Sequence, residues 1–414
     1  MRVTKRSLAL AVVTTTALAL GACAPSPDAS EDPAPGATAD GAEQSDDEAA
    51  GGDPIDVGII TSTTGPLATY GEAYLAGLEA GFDFATDGTG EVDGRPLNIT
   101  ITDDGGDTDR AVAQARDLIG QGYTILAGTA SSGVALALAE QAAQNEVLYI
   151  SGPAAADAIS GVNEYTFRSG RQSLQDVATA GSFIEPEGKK VVVFAQDNAF
   201  GQGNLAAVQG VLGAQGAEVS SVLVPEDVTE FTPFAAQVLQ AQPEMVFVAW
   251  AGATSGAMWQ ALDQQGVLDG TTVVTGLGDV ATYGAFGAAS EKIDFLNHFF
   301  GGAADNEVAQ AMAEHVEGAG GTVDLFTPDG FVAAQMIVRA IEEAGGADDV
   351  DAMRTALEGW QFDGPKGSYE IRASDHALIQ PMYQVRLVSD GNGGWTPELV
   401  AEVAGEDIAP PEAS

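Results

Sequence analysis

Apolar and polar positions follow two alternating rhythms from Ile55 onward. Short apolar runs at Ile55–Ile60, Leu97–Thr102, Thr124–Ala127 and Val147–Ile150 predict strands. Between them the apolar spacing lengthens to that of helices. Gly71–Ala85 places Leu75, Leu78 and Phe82 on one face, and Asp109–Gly120 does the same with Val112, Ala115 and Leu118. Val134–Asn145 follows with Val134 and Leu138 four apart. Strands alternating with helices of this length imply right-handed βαβ units on a parallel sheet.

The rhythm restarts after Phe167-Arg168. Strands are predicted at Val191–Ala195, Val219–Val224, Met245–Ala249 and Thr272–Thr275, and helices at Gly203–Ala214, Phe234–Gln242 and Ser255–Gln265. Ser169–Asp176 would be the first crossing between two lobes. Beyond Lys292 come helices at Asn306–Glu317, Asp329–Ala344 and Val350–Trp360, then strands at Ser368–Arg372 and Met382–Val388. These units are too few for a third domain and are expected to complete the first two. The fold class is therefore α/β, two doubly wound Rossmann-like lobes joined by three crossover segments. Lobe one is expected over 54–171 plus 301–377, lobe two over 172–300 plus 378–403, with 404–414 a disordered tail.

The N-terminus carries a different pattern. Arg2, Lys5 and Arg6 precede an apolar stretch from Ser7 to Leu20 that is short for a membrane span, and Leu20-Gly21-Ala22-Cys23 follows. This resembles a bacterial lipoprotein signal, residues 1–22, with Cys23 as the lipidated residue. Cys23 is the only cysteine, so no intrachain disulfide forms. Ala24–Asp53 holds nine acidic residues and no basic one, with no large apolar residue, and is expected to be a disordered tether. The whole chain carries 60 acidic against 16 basic residues, a formal net charge of -44. Such a surface repels nucleic acid and anionic lipid heads.

Candidate chemistry is concentrated in Thr124–Ala156. Here a strand ends in a hydroxyl-bearing turn (Thr129, Ser131, Ser132) that opens the helix at Val134. Helix N-termini beside the carboxyl ends of parallel strands favour anions such as carboxylates. Ser131 or Ser132 can cap the helix, and the other can face a ligand. Other chemistries lack their signatures. Gly201-Gln202-Gly203 has no third glycine, and no phosphate-cradling loop occurs. His298, His315 and His376 show no metal-ligand spacing. Asp375-His376 lacks an activated nucleophile and reads as a structural Asp–His hydrogen bond at a turn. No cofactor, metal or enzymatic activity is expected.

Several stretches in order carry a family resemblance: Thr64-Gly65-Pro66-Leu67 with Tyr70-Gly71, Asp103-Asp104, Gly128–Ala156, and Asp197 through Phe200-Gly201-Gln202-Gly203. Gly364-Pro365-Lys366-Gly367 leading to Arg372-Ala373-Ser374-Asp375-His376 completes the set. From Pro54 to Val403 the chain resembles the leucine/isoleucine/valine-binding family, the extracellular solute-binding proteins of ABC importers. The resemblance implies the type I periplasmic-binding-protein fold, whose two lobes close over a small ligand. It places the carboxylate-binding serine on Ser132, with Ser131 beside it, and the ligand-facing backbone on Ala154, Ala155 and Ala156. The aromatic positions fall on Tyr70, Phe200, Trp250 and Phe326. Three features depart from the family's amino-acid pattern. Ala156 stands where threonine is common, Phe200 lacks a tyrosine hydroxyl, and the ammonium-pairing acid can only be Asp279, one position out of register. An aromatic or branched carboxylic acid, or an amide, is thereby admitted beside an α-amino acid. The implied role is a lipid-anchored protein outside the cytoplasmic membrane that delivers its solute to ABC permease subunits. The alternative is a sensor of the same fold that signals to a membrane receptor.

Overall fold

The computed structural model describes residues 52–413. The signal segment, Cys23 and nearly all of the acidic tether lie outside the described residues. The first lobe begins with a six-stranded sheet in the order β2-β3-β1-β4-β5-β6. Its strands are β1 (Ile55–Thr61), β2 (Glu91–Val92), β3 (Arg95–Asp103), β4 (Ile125–Ala127), β5 (Leu148–Ser151) and β6 (Thr166–Arg168). All neighbours pair parallel except β2, a short antiparallel edge. Helices α1 (Ala68–Ala85), α2 (Thr108–Gly120) and α3 (Ser132–Asn145) make the crossovers.

The chain then crosses to the second lobe and builds it in sequence: α4 (Ser173–Ala180), β7 (Lys190–Gln196), α5 (Ala199–Val208), β8 (Glu218–Val224) and α6 (Thr232–Gln240). β9 (Met245–Ala249), α7 (Ser255–Gln264), α8 (Val267–Gly270), β10 (Thr272–Gly276), α9 (Tyr283–Phe286) and β11 (Ile293–Asn297) follow. The central strands of both sheets run β3-β1-β4-β5-β6 and β8-β7-β9-β10-β11, the same order with each lobe's first strand second. In such sheets the crevice opens where the strand order reverses, beyond the carboxyl ends of β1 and β4 in one lobe and of β7 and β9 in the other.

A second crossing returns the chain to α10 (Glu307–Gly318), α11 (Thr327–Ala344) and α12 (Val350–Leu357) on lobe one. α11 is buried along most of its length and shares the core of β1, β4 and β5. It meets α1 backbone to backbone. A Cβ on Gly77 would lie 1.8 Å from the Thr327 carbonyl, and one on Gly330 1.9 Å from that of Tyr74. Strands β12 (Gln361–Gly364), β13 (Gly367–Ile371) and β14 (Leu378–Ile379) form a small antiparallel sheet. At Gln380-Pro381 the chain crosses a third time, and β15 (Met382–Ser389) and β16 (Trp395–Val403) extend the second sheet on the β11 side.

The rhythm of apolar runs located most strands and helices to within a few residues. It passed over β2, β6, β11, β12, β14 and β16, which are short or carry polar residues on an exposed face, where alternation is weak. Residues 404–413 are not a free tail. They turn at Gly405–Ile408 and bury Ile408, after which Ala413 N–H donates to Asp375 at 2.9 Å and Arg372 to the Pro410 carbonyl at 2.7 Å. The expected Asp375–His376 hydrogen bond is also absent. Asp375 takes both arms of Arg372, while His376 stacks on Phe167 at 3.8 Å and bonds the Thr166 carbonyl. No helix among the described residues is long and apolar enough to cross a membrane.

Candidate functional site

The carboxyl ends of both sheets face one cavity of about 540 Å³, within the ~300–1,000 Å³ usual for small-molecule sites. Its lobe-one wall is held by acidic residues that act as anchors. Asp104, fully buried, accepts from Ser62, Thr129 and Gly106 N–H, and so ties the ends of β1, β3 and β4 together. Asp103 accepts from Thr63, Thr64 and Gly105. Burial works to raise its pKa, but those hydrogen bonds hold the carboxyl well below the usual carboxylate range.

On this frame the two serines divide their roles. Ser131 is the N-cap of α3, its hydroxyl accepting from Val134 N–H at 3.5 Å. Ser132 lines the cavity, and its oxygen accepts from Ala156 N–H at 3.2 Å, which leaves its own proton to donate. Of the three alanines, Ala154 N–H is taken by the Thr129 carbonyl and Ala156 N–H by Ser132. Only Ala155 both lines the cavity and keeps its N–H uncommitted among the described residues. With the N–H groups of Ser132 and Gly133 at the helix start, the wall presents four donors at a helix N-terminus, chemistry that suits an anion.

The apolar walls come from four aromatics. Tyr70 and Phe326 meet edge to face at 4.8 Å, both lining the cavity from lobe one. Phe200 and Trp250 line it from lobe two. Trp250 is fixed by Phe194 stacked at 5.5 Å, by Phe231 edge-on at 5.2 Å and by its indole N–H donating to Thr254 at 3.0 Å.

Asp279 does not meet the expectation of an ammonium partner. It is buried but does not line the cavity, and its carboxylate accepts from Thr69 of lobe one at 2.6 Å and from Thr282 N–H at 3.0 Å. Its neighbour Val280 donates its N–H to Asp324 of lobe one at 3.1 Å. Together these bonds join residues of the two lobes.

Sequence reasoning missed the floor. Arg171 from the first crossing, Asp176 from α4 and His298 from the second crossing all line the cavity and are all buried. Asp176 receives Arg171 Nε at 3.4 Å and His298 Nε2 at 3.1 Å. Burial works to raise the Asp176 carboxyl, but the Arg171 charge and the hydrogen bonds from Arg171 and His298 hold it below its ordinary value. Burial, and then the Arg171 charge, push His298 down to about 4, so the imidazole is neutral at pH 7. No group of acids, histidines or cysteines among the described residues is arranged to hold a metal.

A sequence model of the periplasmic binding protein family matches residues 54–392. A Leu/Ile/Val-binding protein of Rhizobium johnstonii is 25% identical over 311 residues, covering 73% of this chain and 83% of its own length. The solved structure of an ABC-type branched-chain amino acid transporter protein from Rhodopseudomonas palustris is 29% identical, with a TM-score of 0.72 over 86% of this chain and 99% of that one. An R. palustris solute-binding protein in complex with 4-hydroxybenzoate shares the fold, with a TM-score of 0.78 at 21% identity over 85% of this chain and 97% of that one.

Proposed function

This chain belongs to the periplasmic binding protein family, and we propose that it is the solute-binding component of an ABC importer that captures a small carboxylate-bearing solute without transforming it. The observation that carries this reading is the cluster of uncommitted donors at Ser132, Gly133 and Ala155 in a cavity walled by aromatics. A carboxylate there takes charge-assisted hydrogen bonds in a partly dry cleft, and the remainder of the solute lies against Tyr70, Phe200, Trp250 and Phe326. Branched-chain amino acids and aromatic acids, the solutes named for relatives of this chain, both fit a site of this volume.

Capture works by closure. A solute that touches both lobes binds the closed form more tightly and shifts the population toward it. The Thr69–Asp279 and Val280–Asp324 bonds support this, since each joins one lobe to the other. Anchoring through lipid on Cys23 then holds the protein beside its permease subunits on the outer face of the cytoplasmic membrane.

A thermal-shift screen of amino acids, amides and aromatic acids tests the capture. A ligand at a hundredfold excess over its Kd stabilises by about 2.7 kcal/mol. A screen in which no carboxylate raises the Tm would refute the reading. Cys23→Ser tests the anchor: lipid labelling should vanish, and labelling that persists removes Cys23 from consideration.

A further inference from the structure

The floor of the cavity is a built polar site that the donors of the lobe-one wall leave unused. Arg171 is held in three ways. Nη1 donates to the Pro153 carbonyl at 2.9 Å, Nε reaches Asp176 at 3.4 Å, and the guanidinium carbon lies 5.5 Å from the centre of the Phe326 ring. Nη2 donates to no acceptor among the described residues, although Arg171 is only 5% exposed and lines the cavity. A guanidinium fixed at Nε and Nη1 presents its last amino group in one direction.

The short segment 153–156 joins this floor to the wall described above. Ala156 N–H holds Ser132, and the Pro153 carbonyl holds Arg171. Three residues of extended chain span at most about 10 Å, so the anchors of floor and wall lie no farther apart than the length of one substituted ring. The floor is also balanced in charge. Asp176 answers Arg171 and His298 stays neutral, so a second full charge on the ligand would find no buried counter-charge of its own. A hydroxyl suits the pair better, because it accepts from Arg171 and donates to a neighbouring oxygen such as the Asp176 carboxylate.

We infer that the ligand bears a hydroxyl at the end remote from its carboxylate and that Arg171 reads this oxygen, which makes the ligand class hydroxylated acids of about one ring's length. This rests on capture of the carboxylate at Ser132. His298 acts through Asp176, as a positioning residue. Among the described residues the cavity offers no buried acid that is free of a protein cation, so an α-ammonium group finds no partner equal to the one Arg171 gives an oxygen.

Calorimetry on the full chain with 4-hydroxybenzoate, benzoate and leucine as probes tests the assignment. The wild type should prefer 4-hydroxybenzoate to benzoate by about ten- to a hundredfold, the worth of one hydrogen bond to a charge. In Arg171→Met the ratio of the two affinities should fall to near one. Equal affinities in the wild type, or a ratio retained in Arg171→Met, overturn the role of Arg171. Leucine bound more tightly than 4-hydroxybenzoate overturns the ligand class while leaving carboxylate capture standing. Failure of all three probes overturns the class as well, and the wider thermal-shift screen then decides carboxylate capture separately. Should Arg171→Met not fold, the double variant Arg171→Met/Asp176→Asn removes both charges together and is read by the same ratio.

Discussion

The two polar ends of the cleft are made in opposite ways. The lobe-one wall comes from one continuous stretch, with Ser131, Ser132 and the 154–156 turn brought together by a single strand–helix–strand unit. Its donors are neutral and its geometry follows from local rules of capping and crossover. The floor is assembled from residues far apart in the chain, with Arg171 and Asp176 on one crossing and His298 on another. Its groups are charged and buried, so each depends on the others for compensation. A local wall tolerates the loss of one member, whereas a buried ion pair does not.

The largest effect should come from breaking the floor. Asp176→Ala leaves the Arg171 guanidinium buried without its carboxylate, and should cost about 3–5 kcal/mol in denaturant unfolding. A loss below about 1 kcal/mol would show that the floor does not depend on its charges, and the contrast with the wall would fail.

The floor should also be the more sensitive end to pH. Unfolded His298 titrates near its ordinary 6.5 and the folded residue near 4, so between these values the unfolded chain holds more protons. The stability contributed by neutral His298 is complete above pH 6.5 and is lost as pH falls toward 4. Asp157 and Asp324, both raised to about 6 by burial, slope the other way. The measurement is therefore wild-type stability minus that of His298→Asn. It should fall by more than about 1.4 kcal/mol, one pKa unit's worth, across the window, and a flat difference would contradict neutral burial.

At the wall, Ser132→Ala should weaken binding of the best carboxylate from the screen by ten- to a hundredfold, or ~1.5–3 kcal/mol, and cost about 1–3 kcal/mol of stability through the unpaired Ala156 N–H. Calorimetry that returned unchanged affinity would reduce Ser132 to a structural partner of Ala156. The bonds between the lobes should matter less. Thr69→Val removes one donor to Asp279, and affinity should drop by about tenfold or less. Smallest is Ser131→Ala, which should cost about 0.5–1 kcal/mol of stability through the lost cap and change affinity by no more than about twofold. An affinity loss equal to that of Ser132→Ala would mean that both hydroxyls face the solute.

The sequence by itself determined the lobes and the wall. Apolar runs spaced by amphipathic stretches dictate parallel βα units, and two successive sets dictate two lobes, because periodicity is a property of neighbours in the chain. The wall was legible for the same reason, since Ser131 and Ser132 sit where a strand hands over to a helix. The sequence left open which of the two caps the helix. Only the tertiary structure decided that, by seating Ala156 N–H against Ser132. Asp279 shows the limit from the other side. Its position along the chain suggested a ligand contact, but its side chain is spent on Thr69 from the other lobe, a partner 210 residues away in the chain. The floor left no trace in the pattern. Arg171 read as a linker residue and His298 as an isolated histidine, because what makes them a site is their approach to Asp176. That approach exists only after the first and second crossings lie side by side under the cleft, where burial makes each charge answer to its neighbours.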